Sequence, residues 1–186
     1  MRVSREQAAE NHERIVDTAS RMFREQGFDG VSVDAIMQEA GLTHGGFYGH
    51  FKSKEDLAAQ AMTRALDRAV ERQSKFTDLA GLVSNYLSPR HCADPGNGCT
   101  IAALGADIAR EDTAVRRGLT AHIRAQFDRI AALLKAGGAA HRRKRAIATL
   151  AGMVGALTLA RAVDDAALSR EILAAAREVF GEAPMA

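Results

Sequence analysis

The chain has 186 residues, of which 47% are hydrophobic and 26% are charged, an ordinary globular balance for one or two small domains. No apolar run follows a basic start and no uncharged segment is long enough to cross a bilayer, so we expect a cytoplasmic protein, neither secreted nor in a membrane. The formal net charge of +2 does not point to a polyanionic partner, since residues 1–75 carry 11 Lys and Arg against 12 Asp and Glu.

A long first helix is predicted after a polar arm that runs from Met1 to about Asn11. Gly27 ends the helix, because glycine readily takes the left-handed conformation that commonly closes one. The apolar side chains of this helix recur at helical spacing, in Ile15, Ala19, Met22 and Phe23. We expect it to be the scaffold on which the next two helices pack.

A second helix is predicted from Ser32 to Gly41. Ser32 is a favourable N-cap residue, and Asp34 places a negative charge in the first turn, where the helix dipole favours it. Gly41 ends the helix after about two and a half turns. The apolar positions on its inner face are Val33, Ile36, Met37 and Ala40.

A third segment, from His44 to Phe51, begins after Thr43, which is a good N-cap residue. The segment is too short to be stable alone, so Phe47 and Phe51 must hold it by facing inward. Tyr48 has an alternative interpretation as a core aromatic residue with a solvated hydroxyl group.

The outer side of this third segment carries hydrogen-bond donors and no acidic residue. Gly45 and Gly46 leave the N-terminal turn of this segment without large side chains, so phosphates and base edges could approach it closely. The donors are His44, Tyr48, His50 and Lys52. Both histidines could instead be ordinary surface residues, and we expect no metal site because no further ligand is suitably spaced around them.

The next helix opens at Ser53, with Asp56 reaching back in a capping box. Its N-terminus is a second candidate for phosphate binding, with Lys54 beside it. The helix continues towards Lys75 and is long enough to connect two domains. Two short helices, a tight turn and this capped start form the outline of a helix-turn-helix DNA reader, and the arm, with Arg2 and Arg5, is free to lie against the DNA backbone.

The stretch IMQEAGLTHGGFYGHFKSKEDL resembles the amino-terminal domain of the TetR family of bacterial transcriptional regulators. Family members show an alanine-glycine, a serine or threonine, a glycine, an aromatic-tyrosine pair, a histidine-phenylalanine and a lysine-glutamate helix start, and all are present here. The resemblance implies a recognition helix at residues 44–50. It further implies DNA contacts by Ser32, Thr43, Gly45, Tyr48 and Lys54. Glycines at positions 45, 46 and 49 depart from the pattern by reducing the number of side chains able to read bases.

No motif follows Phe76, but helical spacing continues. It predicts one helix around 79–87 that ends at Ser88-Pro89, another at 101–108, and a third that Asp112 caps and Gly137-Gly138 ends, with a loop at 94–98. We expect this second domain to be hollow enough for a small hydrophobic effector. The predicted lining residues are Tyr86, Ile101, His122, Phe127 and Met153.

The last two helices carry a different pattern. Residues 146–160 include no charge, so this helix must be buried on more than one side; a membrane span is the alternative, but about 15 uncharged residues fall short of the roughly 20 required. Gly152, Gly155 and Ala156 suit close helix contacts. The final helix has an apolar stripe formed by Leu168, Ile172, Ala176, Val179 and Phe180. Two such helices from each of two chains would form a four-helix dimer interface, as the resemblance also implies.

The predicted protein is therefore all-α, with an N-terminal three-helix helix-turn-helix DNA-binding domain at residues 1–52 and a helical ligand-binding and dimerisation domain at 53–186. We expect a dimeric regulator, most often a repressor, that leaves a palindromic double-stranded DNA operator when a small molecule binds. No cofactor is expected. Two other functional classes have less support in the sequence. An enzyme would need a catalytic motif, and a lone Cys99 with His91 or His122 does not form one. A thiol-based redox sensor would use Cys92 and Cys99, but an unreactive cysteine is the commoner case.

Overall fold

The computed structural model describes residues 4–111 and 113–181, and within them it contains helices and no strand. This result confirms the all-α prediction. The helices are α1 (Arg5–Gln26), α2 (Val33–Glu39), a 3₁₀ helix (His44–Gly49), α3 (Lys54–Gln73), α4 (Leu79–Tyr86), α5 (Pro89–Ala93), α6 (Thr100–Ile108), α7 (Thr113–Leu133), α8 (Ala139–Ala162) and α9 (Ala166–Gly181).

The predicted polar arm is largely helical. α1 already begins at Arg5, because the Ser4 hydroxyl accepts a hydrogen bond from the Gln7 N–H at 3.1 Å and Glu6 lies in the first turn. Arg5 is therefore part of a helix and not of an arm, whereas Arg2 lies outside the described residues.

The amino-terminal helices close over a single apolar core. Its fully buried side chains include Phe23, Ile36, Met37, Phe47 and Leu57. α6 and α7 add side chains to the same core through positions 104, 108 and 119. The head formed by α1, α2 and the 3₁₀ helix is thus packed directly against the rest of the chain, and the boundary between residues 52 and 53 stays a prediction.

The middle of the chain differs from the sequence prediction at two helix ends. Ser88 and Pro89 end α4 as predicted but also start α5, since the Ser88 hydroxyl caps the His91 N–H at 3.2 Å and proline fits the first helical position. α7 ends at Leu133, four residues before Gly137. The predicted cap Asp112 lies outside the described residues.

α8 is buried on one side only within this chain. Its inner face packs Leu150, Met153 and Leu157 into a second core, while Ile147 and Leu159 are 42% and 58% exposed. The prediction of burial on more than one side is therefore not met by one chain alone. By length and hydropathy, the 24-residue α8 could also cross a membrane, although a core helix meets the same criterion.

The predicted apolar stripe of α9 divides into two faces. Phe180 lies against Gly152 of α8, where an added Cβ atom would come within 2.0 Å of the Phe180 ring. Leu173 is the buried residue, whereas Leu168 and Val179 are 41% and 68% exposed. α8 and α9 therefore share an internal contact at Gly152 and each present apolar side chains outward.

Candidate functional site

The turn between α2 and the 3₁₀ helix is closed by backbone hydrogen bonds. The Leu42 N–H donates to the Met37 carbonyl at 2.8 Å and the Gly41 N–H donates to the Gln38 carbonyl at 3.0 Å, a Schellman pair. This motif needs a left-handed residue, and Gly41 has a φ of 70°. The predicted helix end at Gly41 is therefore confirmed, and it sets the direction of the following helix.

The predicted recognition helix is a 3₁₀ helix. Three of its six residues are glycine, and glycine weakens an α-helix because it loses more backbone freedom than other residues. Phe47 is buried as predicted, but Tyr48 is 72% exposed, so its interpretation as a core aromatic residue is wrong. Thr43 occupies the N-cap position without a side-chain capping bond, which leaves its hydroxyl group available.

The two histidines of this segment lie in different surroundings. His44 is exposed and its Nδ1 atom pairs with the Asp34 carboxylate of α2, a contact that the sequence did not predict. His50 is half-buried, with its ring 6.1 Å from that of His12 and 6.2 Å from that of Phe51. Burial and the neighbouring His12 lower the pKa of His50, so it is neutral at pH 7.

The start of α3 is capped almost as predicted. The Ser53 hydroxyl accepts from the Asp56 N–H at 3.3 Å, and the Asp56 carboxylate accepts from the Lys52 N–H at 3.0 Å, one residue before the cap. These bonds from the Lys52 N–H and the Gln60 side chain lower the pKa of Asp56. Lys52 is exposed and Lys54 is half-buried beside this helix N-terminus.

Most of the predicted DNA-contact residues reach solvent around this turn. The exposed ones are Ser32, Thr43, His44, Gly45, Tyr48 and Lys52, while His50 and Lys54 are half-buried. A Cβ atom added at Gly45 or Gly49 would meet nothing within 4 Å. The outer face of the 3₁₀ helix is therefore open to a large partner, as expected for a reader that approaches DNA closely.

A cavity of about 400 Å³ lies at the other end of α3, bordered by α4, the 94–98 loop, α6 and α7. Of the five predicted lining residues, Tyr86, Ile101 and His122 line it. Met153 is instead buried in the second core, and Phe127 packs under the Arg143 guanidinium group, 5.1 Å from the ring centre. The sequence missed Arg72, Thr100 and other polar residues, because they come together only in the fold.

His91 connects the end of α4 to the start of α6 at this cavity through two hydrogen bonds. Its Nδ1 atom lies 2.5 Å from the Tyr86 carbonyl, and its Nε2 atom accepts the Cys99 backbone N–H at 3.0 Å. Nδ1 must therefore carry the proton, and the imidazole is neutral. Both ring nitrogens are committed to backbone groups, so His91 does not serve as a base for the Cys99 thiol. Cys99 lines the cavity, and both cysteines are free.

A buried arginine connects the cavity wall to α1. The Arg24 Nε atom donates to the Gly96 carbonyl at 2.8 Å, and its Nη1 atom donates to the Ser20 hydroxyl at 2.8 Å. Burial and the neighbouring Arg72 and Arg68 lower the pKa of Arg24 to about 10. Since Gly96 belongs to the 94–98 loop, Arg24 bonds this loop to α1, and Arg21 and Glu25 of α1 also lie against Gly96.

We expect the protein to lose stability as the pH falls below about 6.5. Burial lowers the pKa of both His91 and His122, and the nearby Arg161 and Arg72 lower that of His91 further, while the Tyr86 carbonyl and Asp94 oppose the shift. The unfolded chain then takes up protons before the folded chain does, so stability is full above the unfolded pKa and falls below it. Urea unfolding at pH 7.5, 6.5 and 5.5 checks this. A flat or rising unfolding free energy on acidification would contradict it, and His91→Gln should reduce the slope.

The head and its exposed turn define a helix-turn-helix protein, and the comparisons with known proteins agree. Residues 15–61 match the family model of bacterial regulatory proteins, tetR family. An HTH-type transcriptional regulator of Staphylococcus aureus (strain USA300) is 40% identical over 74 residues, which cover 40% of this chain and 40% of that protein. The match thus spans less than half of the relative's length.

Two solved structures are similar over nearly the whole chain. A TetR-family regulator from Cytophaga hutchinsonii has a TM-score of 0.77 at 19% identity and covers 97% of this chain and 96% of its own. A TetR transcriptional regulator from Chloroflexus aurantiacus has a TM-score of 0.76 at 23% identity. The match covers 95% of this chain and 96% of that chain. These likenesses establish the fold. Residues 15–61 therefore carry the domain that this family model describes, in agreement with the resemblance, and the matched relative is named as a transcriptional regulator.

Proposed function

We propose that this protein is a cytoplasmic transcriptional repressor that binds a palindromic DNA operator as a dimer and releases it when a small effector enters the cavity. One observation carries the proposal. α3 begins at the exposed turn with Lys54 and ends at the cavity with Ala69, Arg72 and Gln73, so a single rigid element connects the two sites.

The C-terminal end of α3 is hydrogen-bonded to α7, so an effector that binds near this contact could change the orientation of α3. The Arg129 guanidinium group donates to the Gln73 carbonyl, and it donates to the Phe76 carbonyl at 3.1 Å. An effector between α3 and α7 would tilt α3 about this anchor. Two heads on a dimer must fit successive major grooves about 34 to 36 Å apart, so a tilt that changes their separation weakens DNA binding.

The outward apolar face of α8 and α9 supports a homodimer through these helices. Six large hydrophobic side chains are exposed among the described residues, and Ile147, Leu159, Leu168 and Val179 of this face are four of them. Gly155 lies on the same side of α8, and an added Cβ atom there would meet nothing within 4 Å. A second copy of this face would bury these side chains in a four-helix interface.

The cavity at the end of α3 is the better candidate for the effector site than a second hollow of about 450 Å³ beside Phe28 and Met62. Six buried side-chain N or O atoms lack a hydrogen-bond partner among the described residues, and those of Gln73, Tyr86 and Thr100 line the first cavity. None of the six lies on the second hollow. The apolar part of the lining suits an effector with a hydrophobic body.

Replacing Lys54 tests the DNA-binding face. If Lys54 neutralises a phosphate, Lys54→Ala should weaken binding to all sequences alike and make the salt dependence shallower by about one unit. Fluorescence anisotropy with an operator duplex and a random duplex, each titrated at several salt concentrations, measures both quantities. Lys135→Ala is the matched control, because Lys135 is exposed and far along the chain from the turn. Unchanged affinity and slope in Lys54→Ala would remove Lys54 from the interface.

A further inference from the structure

Two buried hydroxyl groups in the cavity lack a strong hydrogen-bond partner among the described residues. The side chains of Tyr86 and Thr100 are only 5% and 2% exposed, and neither hydroxyl oxygen has a hydrogen-bond partner of good geometry among the described residues. The Cys99 thiol, a weak hydrogen-bonding group, lies beside the Tyr86 hydroxyl, and burial together with this thiol raises the pKa of Tyr86. Buried polar groups in folded proteins are almost always hydrogen-bonded, because leaving them unpaired is unfavourable. These two groups therefore indicate that a bound molecule supplies the missing partner.

The Tyr86 phenol acts as a donor. Burial is the main cause that raises its pKa well above 10, so the hydroxyl keeps its proton at any physiological pH. The ring is held edge-on against His91, with 4.8 Å between the ring centres. The Tyr86 hydroxyl can therefore donate a hydrogen bond to an acceptor on a bound molecule, and the Thr100 hydroxyl can donate to the same molecule.

The charges around the cavity favour an anion. Arg72, Lys75 and Arg90 line it against one acidic residue, Asp94, whose carboxylate already accepts hydrogen bonds from Asn97. The two lining histidines are neutral at pH 7 because burial lowers their pKa. Arg72 makes no direct hydrogen bond or ion pair with the described residues, and Asp94 and Glu71 act on it only at longer range, while burial and Arg68 lower its pKa.

We infer that the cavity binds a small carboxylic acid with an apolar body, whose carboxylate accepts hydrogen bonds from Tyr86 and Thr100 and lies against Arg72. Phe76, Leu82, Ile101 and Leu150 form the apolar part of the lining and would contact the body of the molecule. The inference rests on the proposed function, since it names the chemical class of the effector at the same site. Hydrogen bonds between donors and an ionised acceptor are the strong ones, which favours an acid over its neutral amide.

The test compares three acids, octanoate, benzoate and 1-naphthoate, with their primary amides by isothermal titration calorimetry at pH 7.5. At least one acid should bind about tenfold or more tightly than its amide. Tyr86→Phe and Thr100→Val should each weaken binding of the acid without lowering the thermal unfolding temperature of the free protein, because neither hydroxyl group has a strong partner there. Arg72→Gln should bring the acid-to-amide ratio close to one.

Arg68→Gln is the matched control, because Arg68 lies one turn before Arg72 and pairs with Asp17 instead of lining the cavity. It should leave the acid preference unchanged. The inference is overturned if no acid binds, if the amides bind as tightly, or if Tyr86→Phe binds the acids like the wild type. Operator binding is measured on the same preparations. A protein that binds operator without preferring acids contradicts only the inference, whereas one that prefers acids but binds no operator contradicts the proposed function.

Discussion

Gly155→Leu should convert the proposed dimer to a monomer without unfolding the chain. The site faces open space within one chain, so a leucine fits there, but it would overpack a close helix contact in the proposed two-fold interface. Overpacking costs about 1 to 3 kcal/mol per site, and a symmetric interface meets that cost twice. Sedimentation velocity at micromolar concentration should show the monomer, and operator affinity should fall because each head then binds one half-site alone.

Gly152 provides the contrast, three residues earlier on the same helix. A Cβ atom at Gly152 would lie 2.0 Å from the Phe180 ring, so Gly152→Leu should disrupt the contact between α8 and α9 and lower the unfolding temperature. Gly155→Ala should have a smaller effect than Gly155→Leu on the dimer. A Gly155→Leu protein that still sediments as a dimer would place the interface elsewhere.

Arg24→Met should weaken the coupling between the cavity and the DNA-binding head. The substitution keeps the apolar stem but removes the donors to the buried Gly96 carbonyl, so the 94–98 loop loses its hydrogen bonds to α1 and keeps only its packing against Arg21 and Glu25. The buried Gly96 carbonyl then lacks its donor, so the unfolding free energy should also fall, by about 1 to 3 kcal/mol. Residues that connect two sites typically modulate coupling by about 0.5 to 2 kcal/mol.

The coupling in Arg24→Met is measured as the ratio of effector affinities for the free and the operator-bound protein. Arg110→Met is the control, since it removes an exposed guanidinium group that pairs with Asp107 near the end of α6. An unchanged ratio in Arg24→Met, with the fold intact by circular dichroism, would show that the loop transmits nothing to α1 through this side chain.

Local signals in the sequence predicted the head well. Ser32, Gly41 and Ser53 act on backbone groups within a few residues, so their capping roles follow from residue type and spacing alone. The same reasoning identified Phe47 as a core residue. The 3₁₀ geometry of the recognition helix was not predicted, because it depends on how Phe47 packs against the rest of the head, which spacing does not determine.

Contacts between distant parts of the chain could not be predicted in this way. Arg24 meets Gly96 across 72 residues, and His44 meets Asp34 only after the turn brings α2 and the 3₁₀ helix together. The polar character of the cavity escaped notice for the same reason: Arg72, Tyr86 and Thr100 come from three different helices. The apolar pattern of α8 did not show which of its faces is exposed within one chain, because hydropathy does not distinguish burial within a chain from burial between chains.

Operator DNA and a small effector should each weaken the binding of the other to this protein. A palindromic operator is first selected from a random pool of duplex DNA, and the affinity of a compound that occupies the cavity is then measured for the free dimer and for the dimer saturated with operator. We predict that operator weakens the compound by the same factor by which the compound weakens operator, typically about 5- to 150-fold, since such linkage is reciprocal. Equal affinities of the compound for the two forms, or the failure of any palindromic site to emerge from the selection, would contradict the claim.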